Sequence, residues 1–171
     1  AIPSIIDYKS WTGEKNTYPL FDHGNMDEIT ATTSGLVFLS LSYPYLSDNV
    51  IKILKANNNI VILLVTGHAN GVGEQRAFLH KLMLEGCETP VVVVRQYSES
   101  ESEDLQIKAA ADMGTILLDG FGNGIMLRNE GDIPESKIDS YMYGILQAAR
   151  VRTSKTEYIS CPGLLYTSDA A

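Results

Sequence analysis

The chain has 171 residues, 44% of them hydrophobic and 20% charged, and carries a formal net charge of −8. This is globular composition, and its acidic balance disfavours non-specific binding to nucleic acid or anionic membranes, both of which would repel it. Its apolar runs are too short to cross a bilayer, no basic-then-apolar leader is visible, and two cysteines, Cys87 and Cys161, make no disulfide framework, so a reducing cytoplasm is the expected setting.

Residues 1–34 are polar, with glycine, proline, asparagine and aspartate scattered through them, and predict an irregular N-terminal segment with a short strand near 4–7. Regular text begins at Gly35. The run 36–41 predicts a strand, and 47–56 predicts a helix capped by Ser47 or Asp48, with Val50, Ile51, Ile53 and Leu54 at helical spacing. The pattern then repeats. A β-branched run at 60–65 is followed by a loop at 66–73 and a helix at 74–85, with Phe78, Leu79, Leu82 and Met83 on one face and a stop near Gly86. Pro90 opens a strand at 91–94, a helix follows at 100–113 and ends at Gly114, and 116–118 reads as a fourth strand. A last helix spans about 134–149, with Pro134 in its first turn, and 158–160 reads as a final short strand.

Apolar strands alternating with amphipathic helices predict an α/β fold, a parallel sheet covered by helices on both faces and joined by right-handed crossovers. An open doubly wound sheet and a segment of a (β/α) barrel both fit this pattern.

Three local features could carry chemistry. The turn 119–124, Asp-Gly-Phe-Gly-Asn-Gly, lets backbone approach a ligand or adopt positive φ. No helix opens directly after it, so the dinucleotide fingerprint is missing, and a plain turn leading into a short strand at 125–127 is favoured. At 150–155, Arg150, Arg152 and Lys155 cluster with Thr153 and Ser154 in an acidic chain. Guanidinium forks and hydroxyls suit a phosphate or diphosphate, although cations at a helix C-terminus also simply complement its dipole, and the local balance favours the dipole narrowly. Cys161-Pro162-Gly163 offers one thiol without partners in sequence. His68 and Arg95 are polar residues at strand ends, His68 with no identified partner, and Glu99, Glu101, Glu103 and Asp104 read as a solvated helix start.

The stretch from Gly144 through Arg150, Arg152 and Lys155 to Cys161-Pro162 closely resembles a junction in the 4-hydroxy-3-methylbut-2-enyl diphosphate synthases, iron–sulfur enzymes of the methylerythritol phosphate route to isoprenoids. The turn from Leu117 to Ile125 is similar to the same family at the matching distance upstream, and 35–113 is similar to the extra barrel-like domain of its long, three-domain form. The resemblance implies an oxidoreductase, and a chain whose parts are an irregular segment (1–34), part of the inserted barrel-like domain (35–113), the last strand and helix of the catalytic barrel (114–156) and the start of the iron–sulfur domain (157–163). The implied fold is therefore α/β, an incomplete set of parallel βα units of TIM-barrel type.

The implied reaction opens the ring of 2-C-methyl-D-erythritol 2,4-cyclodiphosphate and reductively dehydroxylates it. Electrons come from ferredoxin or flavodoxin through a [4Fe–4S] cluster, in a bacterial cytoplasm and with a homodimeric full-length enzyme as one possibility. Carried over residue by residue, Arg150, Arg152 and Thr153 fall beside the substrate diphosphate and Cys161 on the first cluster ligand. The catalytic groups themselves are not implied. Leu164 stands where the family has its second cysteine, and 164–171 does not resemble the family and reads as a non-native tail, so this stretch alone is expected neither to bind the cluster nor to turn over. Asn123 stands where the family commonly has aspartate. The competing readings are a non-catalytic scaffold domain and an unrelated phosphate-binding α/β domain.

Overall fold

The computed structural model describes residues 3–67 and 70–152. Six strands, β1 (Ser4–Asp7), β2 (Thr17–Phe21), β3 (Val37–Leu41), β4 (Ile60–Val65), β5 (Val91–Tyr97) and β6 (Gly124–Asn129), form one all-parallel sheet in the order β1-β2-β3-β4-β5-β6. Helices α1 (Asp48–Ala56), α2 (Gly71–Leu84), α3 (Ser102–Ala109) and α4 (Thr115–Leu118) fill the later connections, and α5 (Glu135–Ala148) follows β6. Each strand pairs with the next in sequence, so the chain never reverses its winding, which a doubly wound sheet must do. Unreversed right-handed crossovers put the helices on one face and curl the sheet into an open half-barrel, so the expected two-face covering gives way to a barrel-type arrangement.

Strand register explains where the core sits. Phe21, Leu39, Ile62 and Val91 share one row across the sheet, and Leu41, Leu64, Val93 and Ile125 share the next. These rows lie under the helices, where Phe21, Leu39, Ile62, Leu64 and Val93 have no exposed surface. On the opposite, concave face Phe38, Val61, Val92 and Met126 are half-buried, Leu63 and Val94 are buried, and Val65 is exposed. Among the described residues no helix is long and apolar enough to cross a membrane.

Several expected elements hold: β3, β4, the Ser47-capped α1 and α5 fall where the pattern put them. Others change. The N-terminal segment is less irregular than its composition suggests, with β1 and β2 paired in parallel over four positions and Trp11 Nε1 donating to Thr17 Oγ1 at 3.0 Å between them. Helix α2 starts at Gly71, earlier than expected, because the Asn70 side chain accepts from the Gly73 amide. Its Met83 points outward. Strand β5 continues beyond Val94 to Tyr97, paired with β6.

The largest correction concerns 116–118, which is helix rather than strand. From Ser102 the chain runs through α3, a π-helical turn (Ala110–Gly114) and α4 without a break. Leu105, Ala109, Met113, Ile116 and Leu117 are all buried, a continuous helical stripe that a three-residue apolar window mimics as a strand. Gly114 does not end the helix; the open space at its Cα faces Ile145 of α5. The strand expected at 158–160 lies outside the described residues.

Candidate functional site

Helix α5 closes on a backbone turn built by Arg150. The Arg150 amide donates to Gln147 O at 2.9 Å and the Val151 amide to Leu146 O at 3.0 Å, the paired bonds of a Schellman turn. This turn requires a left-handed residue at its first position past the cap, and Arg150 has φ 58°. Arginine pays there for a clash between Cβ and backbone that glycine avoids. Arg152 follows, its amide 3.2 Å from Leu146 O and its guanidinium carbon 5.0 Å from the centre of the Tyr143 ring. Both arginines are exposed. The structure thus brings Arg150 and Arg152 together on one helix end, while Thr153 and Cys161 lie outside the described residues.

The glycine turn behaves as a turn. It is not at a strand's carboxyl end, because it links α4 to the start of β6. Gly120 (φ 81°) closes α4 through bonds from its own amide to Leu117 O and from the Phe121 amide to Ile116 O. Asn123 then pins the start of β6: its Oδ1 accepts from the Val91 amide at 2.9 Å and its own amide donates to Val91 O at 2.7 Å. Asp119 receives a hydrogen bond from Arg76 Nε at 2.7 Å, and this bond holds its carboxyl below the usual aspartate range. Asp119, Gly120 and Asn123 are thereby all used for geometry.

At the other end of the sheet, where ligands of parallel α/β folds gather, Arg95 has partners that sequence did not reveal. Asp112, in the π-helical turn, accepts on Oδ2 from Arg95 Nε at 3.0 Å, from Arg95 Nη2 at 2.7 Å and from the Tyr97 hydroxyl at 2.7 Å. Burial pushes the Tyr97 hydroxyl well above its ordinary pKa, with the Asp112 carboxylate adding to it, so Tyr97 stays a neutral donor. Burial alone would lower Arg95, but its bonds to Tyr97 and Asp112 outweigh that and leave its pKa raised. A cavity of 480 Å³ opens beside this cluster, lined by Val65, Thr66, Val94, Arg95, Gln96 and Arg128. The alternation Arg95-x-Tyr97 places both side chains on one strand face, but Asp112 is too far along the chain for spacing to have named it. His68 lies outside the described residues. Glu99 is tied to Lys108 at 2.6 Å rather than freely solvated.

The described residues do not fit an iron–sulfur cluster. Their cysteine, Cys87, is buried with its sulfur 3.4 Å from the Thr89 hydroxyl, and among them no three His, Cys, Asp or Glu side chains converge to hold a metal.

Sheet order, one-sided helices and polar groups at the strand ends define a (βα)-barrel-type α/β unit, incomplete in these residues. The comparison with known proteins narrows this. The chain is 49% identical over 163 residues to the 4-hydroxy-3-methylbut-2-en-1-yl diphosphate synthase (flavodoxin) of Phocaeicola vulgatus, covering 95% of this chain and 26% of the relative. It is 49% identical over 159 residues to the protein of the same name from Parabacteroides distasonis (92% and 26%), and 45% identical over 127 residues to that of Porphyromonas gingivalis (74% and 22%). The chain is therefore a homologue of one segment of these synthases, and spans about a quarter of the length of the curated relatives it matches. No protein-family model matches it, and no solved structure does.

Proposed function

We propose that this chain is a segment of a 4-hydroxy-3-methylbut-2-enyl diphosphate synthase, which in full length opens and reductively dehydroxylates 2-C-methyl-D-erythritol 2,4-cyclodiphosphate with flavodoxin as electron donor. The observation that carries this reading is near-half identity to such synthases along almost the whole chain. Within it, Arg150 and Arg152, with Thr153, would hold the substrate's diphosphate, and Cys161 would serve the [4Fe–4S] cluster together with ligands from elsewhere in the full-length protein. When bound, that cluster supplies the electrons. The work of the residues described is to bind and orient an anion, for which guanidinium forks are suited. The left-handed Arg150 supports the assignment, because a strained backbone position occupied by a charged side chain calls for a reason beyond closing a helix.

The division at residue 113, between an inserted domain (35–113) and the end of the catalytic barrel (114–156), falls inside the continuous helical run from Ser102 to Leu118. The in-register pairing of β5 with β6 favours treating both parts as one sheet-forming unit. The test is steady-state kinetics of the full-length enzyme with reduced flavodoxin. Arg150→Ala and Arg152→Ala should each raise KM for the cyclic diphosphate about tenfold or more, the scale of a lost charge-assisted hydrogen bond. Unchanged kinetics in both would remove the diphosphate role.

A further inference from the structure

Near the end of α5 one aromatic side chain stays in solvent with a cation lying on it. Tyr143 is 45% exposed, on a helix whose buried residues are Ile138 and Ile145. The Arg152 guanidinium carbon sits 5.0 Å from the centre of its ring, and the Arg152 amide is bonded to Leu146 O of the same helix. Arg152 is thus anchored twice, at its main chain and at its guanidinium. Among the described residues it makes no ion pair. A ring contact of this kind holds the guanidinium by its charge and does not use up all of its five N–H donors.

We propose that Tyr143 is a positioning residue for the diphosphate: its ring holds the Arg152 guanidinium in place, with N–H donors left to meet phosphate oxygens. The inference rests on the reading of Arg150 and Arg152 as diphosphate-binding residues and adds a group that does not itself touch substrate. An exposed arginine gives up rotamer freedom when it grips an anion, and a ring that already orders the side chain reduces that loss at the moment of binding. Tyr143 lies nine positions before Arg152, and the Schellman turn at Arg150 is what folds the chain back so that the two meet.

The test is a double-mutant cycle in the full-length enzyme with the cyclic diphosphate as substrate. Tyr143→Leu should raise KM about two- to fivefold with kcat unchanged, the size of an exposed cation–ring contact. Tyr143→Phe keeps the ring and should restore KM. In an Arg152→Ala background Tyr143→Leu should add nothing, because the contact is already gone. Tyr143→Gln is a second ring-free variant, so a folding defect peculiar to leucine would not decide the result. Additive effects of Tyr143→Leu and Arg152→Ala would overturn the inference. So would an unaltered KM in Tyr143→Leu and Tyr143→Gln while Arg152→Ala raises it, and in both cases the diphosphate reading stands. An unaltered KM in Arg152→Ala overturns that underlying reading, and Tyr143 loses its role with it.

Discussion

Helices α2, α4 and α5 close on the same pair of backbone hydrogen bonds, yet the first two place Gly86 (φ 62°) and Gly120 (φ 81°) at the left-handed position and the third places Arg150 (φ 58°). At the two glycine ends the turn feeds a strand, β5 or β6, and no side chain is needed. At the arginine end the turn carries a guanidinium into solvent and sets up the contact between Arg152 and Tyr143. The backbone geometry demanded is the same at all three ends, and only the side chain differs. A left-handed arginine costs roughly 1–2 kcal/mol that glycine would not, a cost that the proposed anion-binding role would offset.

The comparison can be calibrated at a glycine fixed by space instead of by φ. A Cβ on Gly131 would collide with the Glu99 carbonyl, and Asn129 brackets the same loop by bonding both the Glu99 amide and its carbonyl at 2.9 Å. Gly131→Ala should therefore be the most damaging of these changes, costing about 3 kcal/mol in urea unfolding of the full-length protein. A loss smaller than that of Gly120→Ala would mean that the loop gives way easily. Next in size, Gly86→Ala and Gly120→Ala should each cost about 1 kcal/mol, whereas Arg150→Gly should gain about 1 kcal/mol at its helix end while weakening substrate binding. Amide hydrogen exchange at Val151 and Arg152 reads the local gain. Faster exchange in Arg150→Gly would break the comparison, because the arginine would then be stabilising its own turn.

The smallest effect expected is electrostatic. Asp119, beside Gly120, is held below the usual aspartate pKa by its hydrogen bond from Arg76. A carboxyl with a lowered folded pKa contributes stability above its unfolded value and loses it as pH falls through the folded value. Arg76→Ala should thus flatten the acid limb of the stability curve slightly, and added salt should shrink the difference, since the pair is exposed. A steeper acid limb in Arg76→Ala would contradict the assignment.

Much of the half-barrel was legible because long apolar runs and capped helices carry their own signals. Ile60–Val65 reads as a buried strand from β-branching alone, and Ser47 announces α1 by its hydroxyl. What misled was locality. Ile116, Leu117 and Leu118 form a short apolar window, and Gly114 just before them reads as a helix stop, so the continuation of α3 through its π-helical turn into α4 was hidden. Strand β2 was missed because Pro19 and its polar surroundings lack a strand's alternation. At the candidate site Arg150 and Arg152 stand out as cations in an acidic chain, but the left-handed φ of Arg150 does not, because arginine breaks the glycine rule by which such positions are found.

By itself the sequence determined that parallel βα units would form, which apolar runs would supply most of their core, and that a basic cluster follows the last helix. These are consequences of hydrophobic period and side-chain chemistry, which act over a few residues. Tertiary structure decided the winding of the sheet, the side on which its helices lie, the use of the glycine turn to pin β6, and the meeting of Arg95 with Asp112 and of Arg152 with Tyr143. Each of these depends on which distant segments become neighbours, a matter settled by the packing of the whole sheet and not by any local run of residues.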